Sequence, residues 1–163
     1  MEMYSTLQKS VGDEEPISVY IIEDFEPYRE TIQEIVNLEE DMYCDFVFES
    51  CEDYFSVFHQ IPPPKVLLMD IAIPGKMDGI EGTRRIKELN PDIRVVMLTG
   101  SSDDEKIFKS RSSGAIGYII KDDEPEVLIK KIREAANGEV AMSSTPTRIM
   151  QKMLEQKFKP KKK

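Results

Sequence analysis

Lys65-Val-Leu-Leu-Met-Asp70-Ile-Ala-Ile-Pro-Gly-Lys-Met-Asp-Gly79 decides the fold. Its first half, Val66 to Met69, is almost entirely apolar, the pattern of a central parallel strand covered on both faces. The run ends in a carboxylate, Asp70, and a glycine-bearing loop follows, so an acid stands at the mouth of a buried strand. A second apolar run, Ile17-Ser-Val-Tyr-Ile-Ile-Glu23-Asp24, ends in two more acids. Three carboxylates gathered there repel strongly unless a divalent cation sits among them. The chain reads as built to hold a metal beside a reactive aspartate.

Working outward from these two runs, strand-like and helix-like patterns alternate. Phe25-Glu-Pro27 opens a helix with proline in its first turn, and Tyr28, Ile32, Ile35 and Val36 recur on one face. Cys44-Asp-Phe-Val-Phe-Glu-Ser50 alternates like a strand. Tyr54, Val57, Phe58 and Ile61 have helical spacing, which Pro62-Pro-Pro64 is expected to end. A third helix runs from Gly79 to Leu89 and stops near Asn90-Pro91. Ile93 to Thr99 is a strand. Asp103-Asp-Glu105 opens a helix that stops at Gly114 and offers only Ile107 and Phe108 as large apolar groups, so it is loosely anchored. Ala115 to Ile120 is a fifth strand, and Leu128, Ile132, Ala135 and Ala136 mark a fifth helix ending near Gly138. Five β-α units in succession require parallel strands with right-handed crossovers, hence an open α/β sheet with helices on both faces.

Composition narrows the function. Of 163 residues, 40% are apolar and none is tryptophan, which suits one domain plus tails. Residues 147 to 163 hold seven Lys/Arg and one acid, leaving 15 basic and 30 acidic groups on residues 1 to 146, so the body is no nucleic-acid binder. Two cysteines, Cys44 and Cys51, make no disulfide framework, and no run has the length of a membrane span or the pattern of a signal peptide. A cytoplasmic protein is expected. Residues 1 to 15 read as a mobile leader, 16 to 138 as the folded domain, and 139 to 163 as an amphipathic helix or linker followed by a basic tail. Within that last part Met150, Met153, Leu154 and Phe158 have helical spacing, which predicts a sixth helix over 146 to 158.

In open α/β sheets the ligand crevice lies beyond the carboxyl ends of the strands. Four strands end in polar groups here: Glu23/Asp24, Asp70, Thr99 and Lys121. Singly each reads as a solvated loop residue or a helix cap; together at one edge they read as a site. At these residues the chain resembles the receiver domains of two-component response regulators. Gly117-Tyr118-Ile-Ile-Lys121-Asp122 and Arg133-Glu-Ala-Ala-Asn-Gly138 are most similar to the NarL/FixJ-type (LuxR-like) branch. The resemblance implies a flavodoxin-like, doubly wound five-stranded parallel sheet of order 2-1-3-4-5. Members of that branch usually carry a C-terminal helix-turn-helix output domain, so the sequence reads as a receiver truncated before that domain or acting alone, binding DNA only through an output domain that this chain lacks.

Further roles follow from the resemblance. Asp70 would be the phosphoacceptor, phosphorylated by a sensor histidine kinase or a phosphotransfer protein. Mg²⁺ would be held by Asp24, Asp70 and the backbone carbonyl of Ala72, with Glu23 acting through water. Lys121 would pair with Asp70 and then with a phosphoryl oxygen, and the Thr99 hydroxyl would move to donate to another. Tyr118 is either the aromatic that turns inward as Thr99 shifts or an ordinary half-buried strand tyrosine. Helix four, strand five and helix five would form the output face, and a homodimer is possible.

The chain departs from the family pattern in three places. Gly79 comes one residue late after Asp70, which points to an insertion near Lys76 and a reshaped loop. Asp122 follows Lys121 where other branches have proline. Ala72 and Ser101 stand at the positions that influence hydrolysis, and neither can act as a strong base, which predicts slow self-dephosphorylation. Three other functions compete. A degenerate receiver, never phosphorylated, would serve as an interaction module. A phosphohydrolase with an aspartyl nucleophile would need an acid where Ala72 stands. A flavin carrier would need a phosphate loop after the first strand, where Phe25-Glu-Pro27 is bulky and acidic.

Overall fold

In the computed structural model, residues 14–100, 104–142 and 155 are described, with backbone alone for 104–108 and 142. Nearly all of the leader, the sixth helix expected over 146–158, the basic tail and Ser101 lie outside them.

The chain runs β1 (Ile17–Ile22), α1 (Glu26–Asn37), β2 (Met42–Phe48), α2 (Cys51–Val57), β3 (Val66–Asp70), α3 (Gly79–Leu89), β4 (Arg94–Thr99), α4 (Asp104–Ser113), β5 (Gly117–Ile120), α5 (Pro125–Ala136) and β6 (Ala141–Met142). All pairings are parallel, in the order β2-β1-β3-β4-β5-β6. The expected order of five strands is present, with a sixth at the rim.

Strand alternation sends successive apolar side chains to opposite faces. Val19, Ile21, Val66, Leu68, Val96, Leu98 and Ile119 meet Ile32 and Val36 of α1 and Leu128, Ile129 and Ile132 of α5. Tyr20, Ile22, Leu67, Met69, Val95, Met97 and Tyr118 face the other way, toward Cys51 and Tyr54 of α2 and Ile86 of α3. Both faces of β3 are thus given to burial, and all five of its residues are buried. At about 1.5–3 kcal/mol for each large apolar side chain buried, this two-sided core fixes the strand order and leaves the strand ends free for polar residues.

The caps explain where helices begin. The Ser50 side chain accepts from the Asp53 amide at 3.1 Å, and Asp78 accepts from the Glu81 amide at 2.9 Å. Pro27 and Pro125 occupy the first turns of α1 and α5, where no amide is needed. Helix α2 ends earlier than its apolar spacing suggests: the chain turns at Phe58–Gln60, with the Gln60 amide bonded to the Val57 carbonyl at 2.8 Å, before Pro62 is reached. Those prolines serve the sheet instead, since Tyr20 donates its hydroxyl to the Pro62 carbonyl. Strand β6 has no sequence signature. It closes on β5 through the Ala141 amide and the Ile116 carbonyl at 3.2 Å, and it comes so near that a Cβ on Gly117 would lie 2.1 Å from the Ala141 oxygen. Only glycine fits there.

Candidate functional site

The carboxyl ends of β1, β3, β4 and β5 meet in one crevice. The Ile71 amide donates to the Leu98 carbonyl at 3.0 Å and the Lys121 amide to the Thr99 carbonyl at 2.8 Å, so the loops leaving β3 and β5 are both tied to β4. This backbone frame brings Glu23, Asp24, Asp70, Thr99 and Lys121 to the same edge. Oxygens of Glu23, Asp24 and Asp70 all lie within 4.8 Å of one another. Asp24 is exposed, whereas Glu23 is wholly buried and Asp70 nearly so.

Lys121 is the cation of this cluster. Its ammonium lies 3.0 Å from Glu23 Oε1, 2.8 Å from Oε2 and 3.4 Å from Asp70 Oδ2. The expected Lys121–Asp70 pair is present, but the closer partner is Glu23, which is an inner member of the cluster rather than an outlying one. Burial pushes the Glu23 carboxyl up from its ordinary 4.5 to about 7; the bond from Lys121 opposes this and the neighbouring Asp70 adds to it. Its Oε2 lies close to the ammonium but makes no hydrogen bond among the described residues. A buried carboxylate oxygen without a donor, in a set of hard oxygen ligands, fits Mg²⁺. At about 2.0–2.1 Å per ligand, an oxygen spread of up to 4.8 Å suits an ion that binds some of these acids directly and another through water. The Ala72 amide donates to Asp70 Oδ1 at 3.1 Å, which fixes the carboxylate against its own loop.

Three residues to which the sequence reading gave no role at the site, Arg29, Tyr28 and Glu52, support this arrangement. Arg29 is buried and donates to the Glu23 carbonyl at 2.8 Å and the Asp24 carbonyl at 3.4 Å, fastening the backbone of the acid pair. The available signal was a cation on the apolar face of α1. Tyr28 sets its ring under Lys121, with the ammonium 5.0 Å from the ring centroid. Glu52, in the first turn of α2, accepts from the Met77 amide at 3.0 Å and so anchors the lengthened loop after Asp70. Gly79, one residue late in sequence, falls where a Cβ would lie 2.1 Å from the Asp70 carbonyl oxygen, so α3 begins directly against the strand end. Tyr118 is fully buried, not half-buried, and Ser110 and Arg111 of α4 oppose the effect of burial on its hydroxyl. Burial pushes that hydroxyl up to about 12. On α4, Ser110 and Ser113 are buried as well.

The sequence pattern of the response regulator receiver domain matches residues 19–133. The chain belongs to that family. It is 27% identical over 140 residues to the nitrate/nitrite response regulator protein NarL of Escherichia coli K12, covering 86% of this chain and 64% of that protein. With the uncharacterised transcriptional regulatory protein YxjL of Bacillus subtilis it shares 33% identity over 127 residues, 78% of this chain and 57% of that one. The chain thus spans about three fifths of the length of these relatives. The isolated receiver domain of RcsB from Salmonella enterica serovar Typhimurium, solved with phosphomimetic BeF3-, superposes with a TM-score of 0.75 at 20% identity, covering 82% of this chain and 98% of that one. That likeness establishes the fold as the receiver fold. Among the described residues of this receiver domain, no helix is long and apolar enough to cross a membrane.

Proposed function

We propose that this receiver domain is a phosphoacceptor switch in which Asp70 takes a phosphoryl group from the phosphohistidine of a sensor kinase or a phosphotransfer protein. The observation that carries this reading is the convergence of Asp70, Glu23, Asp24 and Lys121 at the carboxyl end of the central strand. An Asp70 oxygen attacks phosphorus in line, the phosphorus–nitrogen bond breaks, and the histidine nitrogen regains its lone pair. Glu23, Asp24, Asp70 and the Ala72 carbonyl are the residues that would hold Mg²⁺, which when bound offsets the repulsion between the carboxylate and the phosphoryl oxygens.

Lys121 supplies a point charge for one phosphoryl oxygen, and the Thr99 hydroxyl donates to another. Thr99 and Tyr118 stand on neighbouring strands whose pairing reaches Thr99↔Ile120. Movement of Thr99 is read by Tyr118 and passed on to α4, so α4, β5 and α5 form the output face. Control of transcription runs through an output domain, with DNA contacts confined to it, and the protein works in the cytoplasm. Ala72 offers no base to activate water, so the acyl phosphate is long-lived. Catalysis is limited to the domain's own phosphorylation and dephosphorylation.

The test is intact-mass spectrometry after incubation with acetyl phosphate and Mg²⁺. One added phosphoryl group that requires Asp70 and is lost with EDTA is the expected result. An unmodified wild-type chain would overturn this reading in favour of an unphosphorylated interaction module.

A further inference from the structure

We infer that Tyr28 is a positioning residue for Lys121, its ring face holding the ammonium at the acid cluster through a cation–π contact; this rests on the phosphoacceptor reading above. An ammonium has three donors and no acceptor. Glu23 engages this one at 3.0 and 2.8 Å, and Asp70 stands farther off at 3.4 Å. Held by carboxylates alone, Lys121 is drawn to Glu23, the acid that does not react. The Tyr28 ring lies 5.0 Å away, inside the range of about 6 Å over which a ring quadrupole attracts a cation.

Two features make the ring a suitable holder. It sits in the first turn of α1, four residues beyond Asp24, with its body packed against the core, so its place does not depend on the carboxylates. Its π face also attracts the ammonium without occupying any carboxylate oxygen. Lys121 can then shift from Glu23 toward Asp70 while remaining in the crevice. Apolar packing at position 28 would be met equally by leucine, which offers no such face. The contact therefore separates tyrosine and phenylalanine from aliphatic residues of similar burial.

The experiment compares full-length wild type, Tyr28→Phe and Tyr28→Leu in two ways. With acetyl phosphate and saturating Mg²⁺, the initial phosphorylation rate followed by intact mass should be kept within about twofold in Tyr28→Phe and should fall about two- to fivefold in Tyr28→Leu. In proton NMR the Lys121 ε-methylene should lie upfield of the other lysines through the ring current, in wild type and Tyr28→Phe alike, and should return to the ordinary position in Tyr28→Leu. Equal rates in the two variants, or a wild-type Lys121 resonance without the upfield shift, would overturn the proposal. Tyr28→Met serves if Tyr28→Leu does not fold. A wild type that takes no phosphoryl group sinks the phosphoacceptor reading instead, while the NMR comparison still reads the ring contact.

Discussion

Two clusters in this molecule have the same ingredients, one cation between two carboxylates, and opposite surroundings. In the crevice, Lys121 stands between Glu23 and Asp70, whose side chains are 0% and 5% exposed. On the flank, Arg133 of α5 reaches Glu39 at 2.7 Å and grips Asp41 at 2.7 and 3.0 Å, with all three side chains more than a third exposed. Water pays for the second cluster and not for the first. The Arg133 guanidinium holds the Asp41 carboxyl below its ordinary value, while burial drives Glu23 upward despite its lysine. The exposed cluster staples α5 to the turn before β2. The buried one stores unfavourable electrostatics at the place where a charged ligand can relieve them.

The sharpest way to break the contrast is Asp70→Asn. It should abolish the mass gain with acetyl phosphate, and it should also raise metal-free stability by about 1 kcal/mol in urea denaturation, because Glu23 loses its like-charged neighbour. A destabilised Asp70→Asn protein would show that the crevice is not electrostatically strained.

Metal-free stability against pH should be next in size. Between 4.5 and about 7 the folded chain binds more protons at Glu23 than the unfolded chain does, so this contribution is complete below 4.5 and is lost as the pH rises through 7. The expected loss is on the order of 3 kcal/mol. Saturating Mg²⁺ should flatten that slope and add about 2.7 kcal/mol at a hundredfold excess over its dissociation constant. A flat metal-free profile would place Glu23 in ordinary solvent.

The flank should respond weakly and with the opposite sign. Arg133→Ala should cost no more than about 1 kcal/mol, less in high salt, and should leave phosphorylation by acetyl phosphate unchanged. Asp41 has a depressed folded value, so its contribution is present above 3.8 and fades as the pH falls through that lower value. Arg133→Ala should erase this acid-side slope. A large loss of phosphorylation would mean that the two clusters are coupled.

The sequence made the sheet readable because a strand buried on both faces must be apolar and must end where polar residues begin, as at Asp70 and Lys121. Its alternation cannot say which of two nearby acids a lysine will prefer, and Lys121 stands closer to Glu23. The same limit hid Ser110: α4 reads as loosely anchored because it offers few large apolar groups, yet this serine is wholly buried. Arg29 and Tyr28 lay on a helix face whose periodicity reports burial but not partners. Two residues of β6 are too few to carry any period, and the close approach that demands Gly117 is visible only in three dimensions.

That short strand has a consequence for solubility. A sheet rim exposes unpaired amides and carbonyls that can recruit a strand from another molecule. Without β6 the rim would be Gly117-Tyr-Ile-Ile120, four uncharged residues of the kind that seed aggregates. Ala141 and Met142 pair with its first two positions, so that part of the edge is satisfied from within the chain. At the other rim β2 displays the charge of Asp45, a gatekeeper against strand addition. Disordering β6 would bare that apolar rim to strands from other copies of the chain.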